Sequence, residues 1–186
     1  MLAGFMGTGK SAAGRLLAKG LKVPFVDLDE RIVRQAGQTV PEIFAKEGES
    51  GFRKREAREV TRVCTKTGQV IATGGGVLLN EENVRQLKEA GILICLTARP
   101  EVILSRTLSS LPSRPLLSGT DPRERIEELL KLRKPSYAKA DVTIDTSDRS
   151  VQGVVEEILR ILKEEGILKE NVRDVGESTG AVQTGT

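Results

Sequence analysis

Eight residues near the start of the chain, Gly4-Phe5-Met6-Gly7-Thr8-Gly9-Lys10-Ser11, follow the spacing G-x-x-x-x-G-K-[ST] without a mismatch. Glycines so placed let successive backbone N–H groups turn inward into a nest for phosphate oxygens. The helix expected to follow adds the positive end of its dipole. Gly7, Thr8, Gly9 and Ala12 belong to this phosphate-binding set. Lys10 can reach the outer phosphates, and the Ser11 hydroxyl is placed to ligate the Mg²⁺ that travels with ATP. A flexible Gly-rich turn is the bland alternative. The helical spacing of Ala12-Ala13-x-x-Leu16-Leu17, running to Gly20, favours phosphate binding.

Three further groups have chemical potential. Asp27-Leu28-Asp29 ends a predicted strand, and on an extended chain the two carboxylates point the same way. One can hold Mg²⁺ through water while the other orients, or takes a proton from, an attacking hydroxyl. Gly74-Gly75-Gly76 lets backbone come close to a small substrate. Arg53 heads a helical face shared with Ala57, Val60 and Cys64; Arg133 shares another with Ile126, Leu129, Leu130 and Tyr137. One such arginine usually snorkels to water. Two on inward faces suggest a shared buried anion, and the guanidinium fork suits a carboxylate. Glu56, one turn from Arg53, is placed to hold it. Arg106 and Arg114 flank or sit within a Ser-, Pro- and Gly-rich segment, Ser109 to Thr120. A closing lid there would bring arginine to the phosphoryl group and exclude water; a solvated basic loop is the alternative.

Short apolar strands and amphipathic helices alternate to position these residues. Strands are expected at Val23–Val26, Val70–Thr73, Ile92–Leu96 and Asp141–Asp145, with only Met1-Leu2-Ala3 before Gly4 as a first strand. That start is either a very short strand or a truncated one. Helices are expected over Glu30–Ala36, from Thr39 (an N-cap with Glu42 in a capping box), over Glu49–Lys66, after Asn80, after Pro100, after Asp121-Pro122, and from Val151 to Gly166. This alternation predicts an α/β fold, a parallel sheet with helices on both faces, which binds ligands at the carboxyl ends of its strands. The P-loop, the Asp pair and the triple glycine all fall at that edge. Residues 1–166 form one domain, with a mobile segment at about 107–120 and a polar, disordered tail at 167–186.

Composition excludes other classes. Histidine is absent, which removes His triads and His-ligated metals. Aromatics make up only 3%, with no Trp, so aliphatic side chains must fill the core and base-stacking platforms are lacking. A net charge of +3 with acids interleaved among the bases gives no nucleic-acid footprint. Cys64 and Cys95 fit small buried hydrophobes in a reducing cytoplasm. No apolar run is long enough for a bilayer, and no signal-peptide pattern opens the chain.

Together Gly4–Ser11, Asp27-Leu28-Asp29, Glu49-x-x-Phe52-Arg53-x-x-Glu56, Gly74–Gly76, Arg114-Pro115-Leu116-Leu117 and Leu132-Arg133-x-x-x-Tyr137 resemble the shikimate kinase family over about residues 1–165. The resemblance implies a nucleoside monophosphate kinase-like fold, with a five-stranded parallel sheet in order 2-3-1-4-5 and a lid. It implies ATP-dependent phosphorylation of the shikimate 3-hydroxyl by a cytoplasmic monomer, without nucleic-acid or membrane partners. Lys10 and Arg114 would stabilise the transferring phosphate, and Ser11 and Asp27 would hold Mg²⁺. Asp29 would engage the substrate hydroxyls; Arg53, Arg133 and the backbone at Gly75 and Gly76 would bind the rest. Arg106 and Arg149 would lie near adenine. A gluconate or other small-molecule kinase, or a nucleotide binder without kinase activity, are the rival readings; the two inward arginines favour shikimate.

Overall fold

A computed structural model describes residues 1–108, 115–117 and 121–168. Five short strands, β1 (Leu2–Gly4), β2 (Phe25–Asp27), β3 (Val70–Ala72), β4 (Ile94–Thr97) and β5 (Val142–Asp145), form one parallel sheet in the expected order β2-β3-β1-β4-β5. Every residue of β1 and β3 is buried, as suits a sheet covered on both faces. The first strand is as short as the sequence suggests. It is nevertheless central: Leu2 pairs with Ala72 on one side and Ile94 on the other.

The two sheet faces bury different helices. Alternate strand residues Leu2, Ile94, Leu96 and Ile144 pack on Ala13 and Leu17 of α1 (Lys10–Leu21) and on Val155 and Ile158 of α7 (Val151–Glu164). Ala3, Ile71 and Cys95 face the other way. They join a cluster containing Val60 of α3 (Val40–Cys64), Leu87 of α4 (Glu81–Ala90), Ile103 of α5 (Pro100–Thr107) and Ile126 of α6 (Pro122–Tyr137). A small satellite cluster of Ile32, Ile43 and Phe52 joins α2 (Leu28–Ala36) to α3.

Helix starts follow capping chemistry. Asp27, Thr39, Asn80, Asp121 and Ser150 each accept a backbone N–H at the head of a helix, and Thr39 with Glu42 forms the expected capping box. The two helices expected on either side of Gly48 meet there at a break in helical geometry. Gly48, at φ 69° and ψ 178°, kinks α3 without a loop.

Some expectations are corrected. The inward face of α3 is Phe52, Glu56, Glu59, Val60 and Val63, so the stripe through Arg53 and Cys64 is rotated and those two residues lie half-buried. Burying two glutamates is tolerable because each is paired. Glu59 accepts Arg31 at 2.8 Å and Arg62 at 2.7 Å, and Glu56 accepts Arg53. β4 begins two residues later than its apolar run, because Ile92 and Leu93 are held elsewhere. The Ile92 carbonyl accepts the Met1 amino group, and the Leu93 N–H donates to Asp141. Of the segment expected as a surface lid, Pro115–Leu117 forms a 3₁₀ turn with Leu117 in the core, so this part is anchored. Arg114 and residues 169–186 of the expected tail lie outside the described residues. No helix among the described residues is long and apolar enough to cross a membrane.

The junction of β1 with the glycine-rich loop tolerates no side chain. Gly4 has φ 128°, and a Cβ there would lie 2.0 Å from the Leu96 carbonyl oxygen in the neighbouring strand. Gly4→Ala is expected to cost at least about 3 kcal/mol in urea unfolding, from strain and strand displacement together. A loss under about 1 kcal/mol would contradict this packing.

Candidate active site

The loop between β1 and α1 curls as its glycines predict, with Gly7 at φ 75° and Gly9 at φ 90°. Gly9 is the N-cap of α1 and gives it no side-chain cap. The first N–H groups of α1 are therefore left for a ligand, where most other helices are closed by a side chain. Thr8 Oγ1 and Lys10 Nζ both donate to the Phe5 carbonyl at 2.8 Å, which ties the loop to its own base. Ser11 Oγ donates to Asp27 Oδ2 at 2.7 Å.

A cleft of about 680 Å³ opens over this loop. Gly7, Thr8, Gly9, Lys10, Ser11 and Ala12 line it, together with Asp27, Asp29, Arg106 and Arg149. Every nucleotide-site residue proposed from sequence is thus gathered on one cleft, Arg114 excepted as outside the described residues. Arg106 is held in place, donating to Thr146 Oγ1 at 3.0 Å and to the Thr146 carbonyl at 2.8 Å. Arg149 is less constrained, with one long contact of 3.9 Å to Glu157. Sequence reasoning missed Thr146. Its buried hydroxyl bridges the Thr8 and Thr97 carbonyls, binding the phosphate loop to the end of β4. A lone Thr after a strand carries no signal that marks it.

The Asp pair is not arranged as an extended chain would place it. Asp27 ends β2 and caps α2, accepting the Asp29 N–H at 3.0 Å, while Asp29 lies in the first helical turn. Capping won over strand continuation because Asp27 can satisfy two otherwise open N–H groups. The two carboxylates still line the same cleft.

A smaller pocket of about 90 Å³ adjoins it, lined by Arg53, Glu56 and Gly74–Gly76 along with Phe44, Phe52, Pro115 and Leu116. Asp29, Met6 and Val40 line both cavities. The triple glycine proves to be a surface for the protein's own charges. A Cβ on Gly74 would meet Glu56 Oε1 at 2.5 Å and Asp29 Oδ1 at 2.8 Å; on Gly76 it would meet the Arg53 guanidinium at 2.3 Å. Arg53 is gripped by Glu56 at 2.8 Å and Glu49 at 2.9 Å, as its spacing from Glu56 suggests. Burial opposes its charge, but these carboxylates outweigh it and raise the guanidinium above its ordinary value. Arg133 is buried, stacks over the Phe5 ring at 5.4 Å and donates to the Gly75 carbonyl at 3.1 Å. Its Nε and Glu56 Oε1 are buried with no hydrogen-bond partner among the described residues. Burial pushes the Glu56 carboxyl up to about 7, against the pull of Arg53.

Another cavity, about 740 Å³, opens at the opposite edge of the sheet among Met1, Leu17, Ile92 and Leu162. Its lining is mostly aliphatic, with Lys22, Gln69 and Met1 among it.

The phosphate loop on a 2-3-1-4-5 sheet, with a small charged pocket beside it, defines a P-loop kinase acting on a small molecule. The shikimate kinase family model matches residues 6–163. The shikimate kinase of Caldanaerobacter subterraneus subsp. tengcongensis is 49% identical over 160 residues, covering 86% of this chain and 93% of the relative. That of Symbiobacterium thermophilum is 50% identical over 168 residues, covering 89% and 97%. Among solved structures, shikimate kinase from Acinetobacter baumannii in complex with shikimate matches with a TM-score of 0.85 at 38% identity, over 90% of this chain and 93% of that one. A gluconokinase from Sinorhizobium meliloti, at 15% identity and a TM-score of 0.53, shares the fold alone. The chain belongs to the shikimate kinase family. It uses ATP to phosphorylate shikimate, a step of aromatic amino-acid biosynthesis.

Two outcomes are expected from this geometry. Gly76→Ala should displace the guanidinium at the far end of the Arg53 side chain, and no backbone. Steady-state kinetics should show a shikimate KM raised at least about tenfold, with little change in thermal midpoint. Glu56, raised from 4.5 to about 7 by folding, stabilises the fold fully below pH 4.5 and loses that contribution as pH rises through about 7. In Glu56→Gln this decline should shrink by at least about 1 kcal/mol between pH 5 and 7.5, read by urea unfolding at both values.

Proposed function

We propose that the large cleft holds ATP, that the small pocket holds shikimate, and that the γ-phosphoryl group passes to the 3-hydroxyl beside Asp29. The observation that carries this reading is that Asp29 lines both cavities. A group there meets the acceptor hydroxyl on one side and the phosphate chain on the other, so proximity does much of the work. Its carboxylate orients the hydroxyl and accepts its proton as the O–P bond forms.

The remaining assignments follow the sides of the site. Backbone at Gly7, Thr8, Gly9 and Ala12 cradles the phosphates, and Lys10 moves from the Phe5 carbonyl onto them as they bind. Lys10 and Arg114 balance the charge that builds up during transfer. Arg106 and Arg149 flank the adenine. Arg53 and Arg133, with the backbone of Gly75 and Gly76, take the shikimate carboxylate. Arg133 is buried and lines neither cavity; its Nε, without a hydrogen-bond partner among the described residues, supports this assignment.

Ser11 and Asp27 fit a Mg²⁺ ion. A hydroxyl and a carboxylate lie 2.7 Å apart at the head of the phosphate loop, and Mg²⁺ takes few protein oxygens, filling its shell with water and phosphate. Among the described residues no group of three or more acidic or sulfur ligands offers a closed protein cage. When bound, the ion would neutralise phosphate charge and lock the outer phosphates in one orientation. We take residues 1–166 to be the kinase domain, acting as a cytoplasmic monomer.

The test is ADP release from Mg·ATP by purified protein given shikimate, gluconate or no acceptor. Release with shikimate alone is the expected result; equal release without acceptor would remove the small pocket from the reaction. Asp29→Asn should lower kcat at least about 100-fold while the ATP KM stays within about threefold. Unchanged turnover would take Asp29 out of the mechanism.

A further inference from the structure

One carbonyl in the acceptor pocket is held by two donors from the same helix. Tyr137 Oη donates to the Gly75 carbonyl at 2.8 Å and Arg133 Nη1 donates to it at 3.1 Å. Residues 133 and 137 stand one turn apart on α6, so a single rigid helix face aims both. Tyr137 is itself buried in the core behind the glycines and does not line the pocket.

The carbonyl it holds belongs to a peptide with another end. No cis peptide bond occurs in the described chain. In a trans peptide the Gly75 C=O and the Gly76 N–H point to opposite sides of the backbone. Turning the carbonyl toward α6 therefore turns the Gly76 N–H away from it, and this amide donates to no other described residue. A glycine backbone without such an anchor would sample other orientations, since neither Gly75 nor Gly76 carries a side chain to fix the plane. The anchor is also durable: burial pushes the Tyr137 hydroxyl up to about 12, so it keeps its proton at any physiological pH.

We propose that Tyr137 is a positioning residue for acceptor binding, fixing the Gly75–Gly76 peptide through the Gly75 carbonyl so that the Gly76 N–H is presented to shikimate. The proposal rests on the assignment of the small pocket to shikimate. Arg133 shares the anchor but has a second task at the substrate; Tyr137 acts only through the peptide.

The test compares Tyr137→Phe with Arg53→Ala in steady-state kinetics, with thermal midpoints measured alongside. Phe keeps the buried ring and removes one hydrogen bond. Tyr137→Phe is expected to raise the shikimate KM about five- to tenfold, with kcat and the ATP KM within about twofold. If Arg53→Ala raises the shikimate KM and Tyr137→Phe does not, the positioning role is wrong while the pocket assignment stands. If Arg53→Ala also leaves it unchanged, the pocket assignment fails and the proposal with it. Parallel increases in both KM values, with a lowered thermal midpoint, would show a structural role only and overturn the proposal. Should Tyr137→Phe not fold, ¹⁵N NMR of the unmodified protein decides. The Gly76 amide resonance should shift when shikimate is added, and a stationary Gly76 signal at saturation would refute the contact.

Discussion

Where β3 gives way to the turn at Gly74–Gly76, charged side chains from three helices gather against backbone, those from α2 and α3 at distances no Cβ would allow. Arg53 and Glu56 arrive from α3, Asp29 from α2 and Arg133 from α6. Two positive and two negative groups share this small space. Each buried ion has a desolvation penalty of several kcal/mol, which pairing and backbone hydrogen bonds must offset. The glycines make that possible by letting guanidinium and carboxylate groups reach one another and the peptide carbonyls. The small pocket is thus, before anything else, a packed ionic cluster.

That cluster also explains which parts of the site were legible in the sequence. The phosphate loop follows a local rule, since its function is performed by its own backbone, and its spacing alone reveals it. Arg133 was visible because a charged residue interrupted an otherwise apolar helical stripe. Arg53 was found by the same reasoning, but the stripe drawn through it was one position off, because Glu56 and Glu59 occupy the buried face. A pattern that scores carboxylates as exposed cannot see a glutamate whose partner arrives from another helix, as Arg31 does for Glu59.

A parallel sheet followed from the alternation of elements, and its five-stranded order from the family resemblance alone. The least legible details depend on competition between local choices. Whether Asp29 continues a strand or begins a helix is decided by the capping power of Asp27, two residues earlier. Whether Ile92 and Leu93 join β4 is decided by Met1 and Asp141, distant in sequence. Thr146 and Tyr137 act by holding carbonyls of residues far along the chain, and nothing in their immediate neighbours announces it.

Asp27 gathers several of these threads in one side chain. One carboxylate oxygen accepts the N–H groups that begin α2, and the other accepts the Ser11 hydroxyl at the phosphate loop. The residue is therefore a mechanical linkage between the phosphate loop and the start of α2. Through its two oxygens Asp27 ties Ser11 to the first turn of α2, the turn that carries Asp29. Because α2 starts on one oxygen of the carboxylate whose other oxygen faces Ser11, re-angling α2 would also move the oxygen that faces the phosphate loop.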